Sequence, residues 1–135
     1  MLRLPSLRRA LSLATLTARA WTGLLVFDLL VLAGFSSAHR WVRRTQIKAR
    51  VGQRVGTEDI VWAVDEACVW YVKRAACLQR SAVATRLLRR GGWPAELVIG
   101  YRPTPFESHA WVEVAGIIVN DRPQYQKVFV VLERI

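Results

Sequence analysis

Apolar residues along this chain change their spacing once. Up to Arg90 they recur at helical intervals, and beyond Pro94 they alternate. Ser6 predicts an N-cap ahead of a helix over 7–19, Trp21 to Val31 continues helically, and Gly34 predicts the stop. Ser36 or Ser37 predicts the cap of a short helix carrying His39, Arg40, Arg43 and Arg44 on a solvated face. The stretch 49–56 has two glycines and no helical period, so it predicts a linker. Thr57-Glu58-Asp59 predicts a cap followed by acids in a first turn, where the helix dipole favours them. Ile60, Val61, Val64, Cys68, Tyr71 and Val72 then follow at helical spacing. A further helix is predicted from Ala76 to Arg90, stopped by Gly91-Gly92 with Pro94 just beyond. Strands are predicted over 95–102, 108–114, 117–120 and 127–132. Helices first and strands afterwards predict an α+β fold, with N-terminal helices packed against a small antiparallel sheet.

Charge divides the same chain differently. The net charge of +10 is concentrated in residues 1–56, where ten Lys/Arg, Arg3 among them, face the single acid Asp28 for a net of +9. Residues 57–135 carry ten Lys/Arg against nine acids, a net of +1. We therefore expect one structural domain made of two parts: a basic, apolar helical segment over 1–56 and a balanced core over 57–135. A basic surface favours acidic partners, whether peptide, protein, nucleic acid or membrane. The aromatics are not interleaved with the cations as a base-stacking platform requires, which argues against nucleic acid. Peripheral contact with a membrane surface stays open. The apolar run from Trp21 to Phe35 is broken by Asp28 and falls short of the ~20 residues that span a bilayer. Packing on the domain is thus the expectation for it, ahead of a targeting role. At 53% hydrophobic residues the chain has the means to form a packed core. Two cysteines are too few for a disulfide scaffold and point to a reducing, cytoplasmic setting. No spacing of ligand residues suggests a metal site.

The candidate chemistry lies in three places. Cys77 stands at the predicted start of a helix, where free amide N–H groups and the positive end of the dipole stabilise a thiolate and can hold an oxyanion. Cys68 falls mid-helix on an apolar stripe and reads as a core thiol. In ESHAWVEV, strand alternation puts His109, Trp111 and Glu113 on one face, with Glu113 read as solvated near the loop. A three-residue loop, Val114-Ala115-Gly116 with Gly116 left-handed, pairs Glu113 with Ile117, Trp111 with Val119 and His109 with Asp121. A two-residue loop at Ala115-Gly116 instead pairs Trp111 with Asn120. Either register supplies a group to orient the imidazole, Asp121 in the first and Asn120 in the second, and Asp121 is favoured. Cys, His and Asp in this order permit general-base activation of a thiol.

The stretches CLQRS at 77–81, LLRRG at 87–91, AELVIG at 95–100, HAWVE at 109–113 and VND at 119–121 together resemble one family. It is the transglutaminase-like B protein of lasso-peptide gene clusters, in the split form whose leader peptidase is a separate short chain. The resemblance implies a papain/transglutaminase-like fold with 57–135 as the catalytic core, and a cysteine peptidase with Cys77, His109 and Asp121 as its triad. It implies removal of the leader from a ribosomally made precursor, through a thioester and with no cofactor for the chemistry itself. It further implies a separate leader-recognition protein and an ATP-using cyclase as partners. Trp111 and Trp70 are candidates for walls of the substrate site, and Phe106, in the stiff loop Arg102-Pro103-Thr104-Pro105-Phe106, for its border. Two rivals stand beside this reading: an acyl transferase using the same triad with an amine acceptor, and a non-catalytic scaffold whose N-terminal helices bind a partner or membrane.

Overall fold

In the computed structural model, which describes residues 6–49 and 54–135, the two apolar stretches of the N-terminal segment merge into one helix, α1 (Leu7–Leu32). Arg3 and residues 50–53 of the expected linker lie outside the described residues. Ser6 caps α1 as expected, its side chain accepting from the Arg9 amide at 3.4 Å. The helix ends at Gly34, whose φ of 126° few other residues tolerate. The buried stripe of α1 is Leu16, Ala20, Leu24 and Phe27, spaced at three and four residues. By length and composition alone α1 is apolar enough to cross a membrane; only 17% of its most apolar window is buried, the stripe that faces the rest of the chain. Asp28, which interrupts the run in sequence, is answered by neighbours: Tyr71 donates to it and Lys73 Nζ lies 3.1 Å away.

Helix α2 (Phe35–Arg43) starts directly after Gly34. Ser36 and Ser37 therefore fall inside its first turn, and the expected serine cap is absent. Helix α3 (Thr57–Val69) likewise takes Gly56 at its N-cap, with Thr57 as the first helical residue and Glu58 and Asp59 in the first turn. It stops before Val72, which is exposed, while Tyr71 is buried against Trp21 of α1. Helix α4 (Cys77–Arg90) is the most enclosed element. Gln79, Ser81 to Thr85 and Leu87 to Arg89 are all buried in it.

One face of a four-stranded antiparallel sheet covers α4. The strands are β1 (Ala95–Pro103), β2 (Phe106–Val114), β3 (Ile117–Ile118) and, after a single helical turn α5 (Tyr125–Val128), β4 (Val130–Arg134), in the order β3-β2-β1-β4. Leu97, Ala110, Val112 and Val114 face the helices and join α1, α3 and α4 in the core. Val98 and Trp111, paired across β1 and β2, face the other way with Ile118 and Phe129.

Two strand expectations are corrected. The last strand begins at Val130, because Tyr125–Val128 closes a helical turn first. The β2–β3 loop has two residues: Glu113 pairs with Ile118 and Val114 with Ile117. Ala115 and Gly116 both take positive φ, 51° and 78°, the pattern of a type I′ turn. This is the alternative two-residue loop; a non-glycine residue at its first position is strained by ~1 kcal/mol or more, which is why the sequence favours the three-residue loop over it. The three-residue loop and its His109–Asp121 strand pairing are therefore not formed.

Candidate active site

His109 meets Asp121 without strand pairing. β3 ends at Ile118, and the chain bends back past the open edge of β2 through Val119, Asn120 and Asp121. There His109 Nε2 and Asp121 Oδ2 lie 2.8 Å apart, with side-chain exposures of only 17% and 14%. A carboxylate only accepts, so this hydrogen bond places the ring proton on Nε2 and leaves the lone pair on Nδ1. The imidazole is clamped by aromatics. Tyr125 stands edge-on at 4.7 Å between centroids, with Phe129 at 5.7 Å and Trp111 at 6.3 Å. Gly100, opposite His109 on β1, makes the room: a Cβ there would come within 2.8 Å of the Trp111 ring.

The bend that carries Asp121 is fixed by its neighbour. Asn120 is buried, accepts from the Val112 amide at 2.8 Å and donates to Ser81 Oγ at 3.0 Å. Ser81 in turn donates to the Ala110 carbonyl at 3.2 Å. Asn120 is thus the buried link between β2 and α4, and Asp121 is the residue on the imidazole.

Cys77 is the first residue of α4. Its N-cap, Ala76, offers no side-chain acceptor, and the first helical bond runs from the Arg80 amide to the Ala76 carbonyl. The amides of the first turn are therefore free to face a ligand. The thiol is half-buried and packs against the cluster that includes Leu97 and Ala110, on the helix side of the sheet. His109 projects from the opposite face, and among the described residues no hydrogen bond joins the two side chains. The faces communicate around the open edge of β2. Arg80, one turn along α4 from Cys77, donates to Asp121 Oδ2 at 3.1 Å, the same oxygen that holds His109. The structure thus brings His109 and Asp121 together and sets the start of α4 beside them.

The chain matches the family described as the transglutaminase-like superfamily over residues 2–134. It belongs to that superfamily. A curated relative is the microcin J25-processing protein McjB of Escherichia coli, 40% identical over 62 residues. That span takes in 46% of this chain and 30% of McjB, so the chain matches less than a third of that relative's length. No solved structure matches.

In this transglutaminase-like chain several expected site residues have other work. Trp111 is fully buried and donates to Glu113 at 2.8 Å, so it supports the imidazole from within and is closed to substrate. Glu113, expected in solvent, is 3% exposed because Trp111 and Arg134 hold both its oxygens. Trp70 is exposed at the end of α3, where its indole donates to Glu66; it lines a hollow with Trp21 and Trp62 and takes no part in the His109 cluster. Phe106 is exposed at the β1–β2 tip and packs on Tyr101, without contact to the imidazole cluster. His39, read as solvated, lies 2.7 Å from Glu133 of β4. Cys68 is half-buried against the α1–α3–α4 core, and burial pushes its thiol pKa up. Among the described residues no three His, Cys, Asp or Glu gather as a metal site would need.

The alternation of the His109 strand and the helix start at Cys77 pointed to this place. Arg80, Tyr125 and Phe129 did not stand out in the sequence. The one available signal was Arg80 itself, a cation in a helix first turn, where the dipole disfavours it unless an acid answers it.

Proposed function

We propose that this chain is a cysteine peptidase that removes the leader from a ribosomally made lasso-peptide precursor. The observation that carries the reading is the shielded His109–Asp121 pair tied by Arg80 to the helix that Cys77 opens. Membership of the transglutaminase-like superfamily and likeness to a microcin-processing protein support it.

In the proposed reaction Cys77 Sγ–H gives its proton to His109 Nδ1, and the sulfur attacks the carbonyl at the leader–core junction. Asp121 keeps the Nε2 proton and steadies the imidazolium. The free amides at the start of α4 hold the tetrahedral oxyanion. The C–N bond then breaks and the imidazolium protonates the leaving amine, which becomes the N-terminus of the core. His109 next takes a proton from water, whose oxygen attacks the thioester; the C–S bond breaks, the imidazolium returns that proton to Cys77 Sγ, and the leader leaves as a carboxylic acid. For these proton transfers the half-buried thiol and Nδ1 must meet around the edge of β2, and apo geometry is often looser than the reacting one. In this reading a separate recognition protein delivers the precursor and a cyclase takes the freed core, all in the cytoplasm.

The test supplies precursor and recognition protein to the chain and weighs the products. Two fragments whose masses sum to the precursor plus one water are expected. Cys77→Ala and His109→Ala should each lower the rate by at least about 100-fold. Undiminished cleavage by Cys77→Ala ends the assignment. A product carrying an amine in place of water moves it to acyl transfer.

A further inference from the structure

The face built by α1, α2, α4 and residues 45–49 gathers cations that no described carboxylate pairs with. Two adjoining hollows open there, of about 510 and about 910 Å³, and Trp41, Arg86 and Arg90 line both. Arg19 enters from α1, Arg40 and Arg44 from α2 and its last turn, and Lys48 from the segment that follows. No acidic side chain among the described residues lines either hollow. Among the described residues, none of these six cations lies within ion-pair distance of a carboxylate, whereas Arg9, Arg80 and Arg134 do.

Helix ends account for part of this. Arg40 and Arg90 fall in last turns, where the dipole favours cations. Arg19 and Arg86 do not. Arg86 is half-buried and its partners are neutral: it donates to Thr45 Oγ1 at 2.6 Å and lies 3.9 Å from the Trp41 ring centroid. Burial, together with the like charge of Arg90, pushes its pKa down to about 10. A guanidinium held this way lacks a counter-charge.

The geometry points to this furrow as the docking site of an acidic polypeptide segment, its carboxylates on Arg44, Arg86 and Arg90 and its apolar side chains on Val26, Leu30 and Ile47. The furrow is long, because the two hollows share a wall, and its lining mixes cations with apolar side chains. That mixture suits a peptide carrying both kinds of residue. A single-stranded nucleic acid would draw on open aromatic faces, and Trp41, the only aromatic lining the furrow among the described residues, is covered by Arg86. A flat bilayer cannot reach a cation at the floor of a concave surface. The proposal holds whether or not Cys77 cuts a peptide.

Fluorescence anisotropy on the full chain tests it. The probes are a labelled short peptide alternating glutamate with leucine, its glutamine counterpart, a short single-stranded oligonucleotide, and vesicles of phosphatidylglycerol with phosphatidylcholine. The acidic peptide should bind best, and more weakly as salt rises. The triple variant Arg40→Gln, Arg44→Gln, Arg90→Gln changes only exposed side chains, so the fold survives, and it should weaken binding about tenfold or more. The triple variant Arg8→Gln, Arg74→Gln, Arg122→Gln removes the same charge elsewhere and should leave binding unchanged. Equal binding of the glutamine peptide, tighter binding of oligonucleotide or vesicles, or equal losses in the two triple variants would overturn the proposal.

Discussion

Asp121 Oδ2 receives two donors, His109 Nε2 at 2.8 Å and Arg80 Nη2 at 3.1 Å, while Oδ1 accepts the Arg122 amide at 2.9 Å. A carboxylate held on three sides cannot swing, so neither can the imidazole it holds. Arg80 is therefore a positioning residue that sets Asp121 relative to the start of α4. Losing one charge-assisted hydrogen bond of this kind costs ~1.5–3 kcal/mol. If that loss falls on the geometry of the dyad, Arg80→Gln lowers kcat about tenfold or more and leaves KM within about twofold. Arg80→Lys, which keeps the charge, regains part of kcat. A rise in KM at unchanged kcat would instead make Arg80 a substrate contact. Asp121→Asn should also lower kcat, since a neutral amide steadies imidazolium poorly.

Each helix is held to its neighbours by polar ties as well as apolar stripes, and the tie between α1 and the α3–α4 connection titrates. Tyr71, buried, donates to Asp28, and burial followed by that hydrogen bond raises its pKa to about 12. Burial works to raise the Asp28 pKa too, but the donors Tyr71, Lys73 and Gln79 together outweigh it and hold the carboxyl below its ordinary value. A raised phenol pKa contributes stability that is complete below about pH 10 and lost as pH climbs towards about 12. A lowered carboxyl pKa contributes stability that is present above pH 3.8 and lost as pH falls through the folded value. Tyr71→Phe should therefore have a lower unfolding midpoint than the parent at neutral pH, and the gap should close between about pH 10 and 12. A gap that stays constant across that window would show that the phenol proton is not what α1 depends on.

Most elements were legible in the sequence because periodicity reports which face is buried. The start of α4 at Cys77, its stop at Gly91 and the β1–β2 hairpin all follow from that pattern. At the β2–β3 turn the sequence offered both loop lengths and favoured the wrong one, because Ala115 adopts a left-handed φ that its side chain disfavours. The partner of His109 was identified from a register that does not form. Asp121 arrives through a bend pinned by Asn120, and long-range side-chain bonds of this kind leave no period behind. The burial of Glu113 was hidden for the same reason: its partners Trp111 and Arg134 meet it only in the folded sheet.

At the scale of the whole molecule, helices and sheet meet on one guanidinium. Arg89 is buried in α4 and donates to four carbonyls: Ala95 at 2.8 Å, Val42 at 2.9 Å, Thr45 at 3.4 Å and Ile135 at 2.7 Å. It thereby joins the end of α2, the start of β1 and the residue after β4 through one side chain. Burial lowers its pKa, yet the carbonyls, Val42's at the negative end of α2 among them, compensate the charge. Removing the cation while leaving four acceptors enclosed resembles breaking a buried ion pair, which costs ~3–5 kcal/mol. Against a total stability of ~5–15 kcal/mol, that is a large share. Arg89→Met, similar in length and apolar, should lower the unfolding free energy by that amount, read as a lower urea midpoint with little change in slope. The exposed neighbour Arg90→Met should change stability by less than about 0.5 kcal/mol. Hydrogen exchange adds the direction of failure: β4, held through Ile135, should lose protection before β2, whose buried face rests on α4. If β2 and β4 open together at an unchanged urea midpoint, Arg89 is not what joins the two layers.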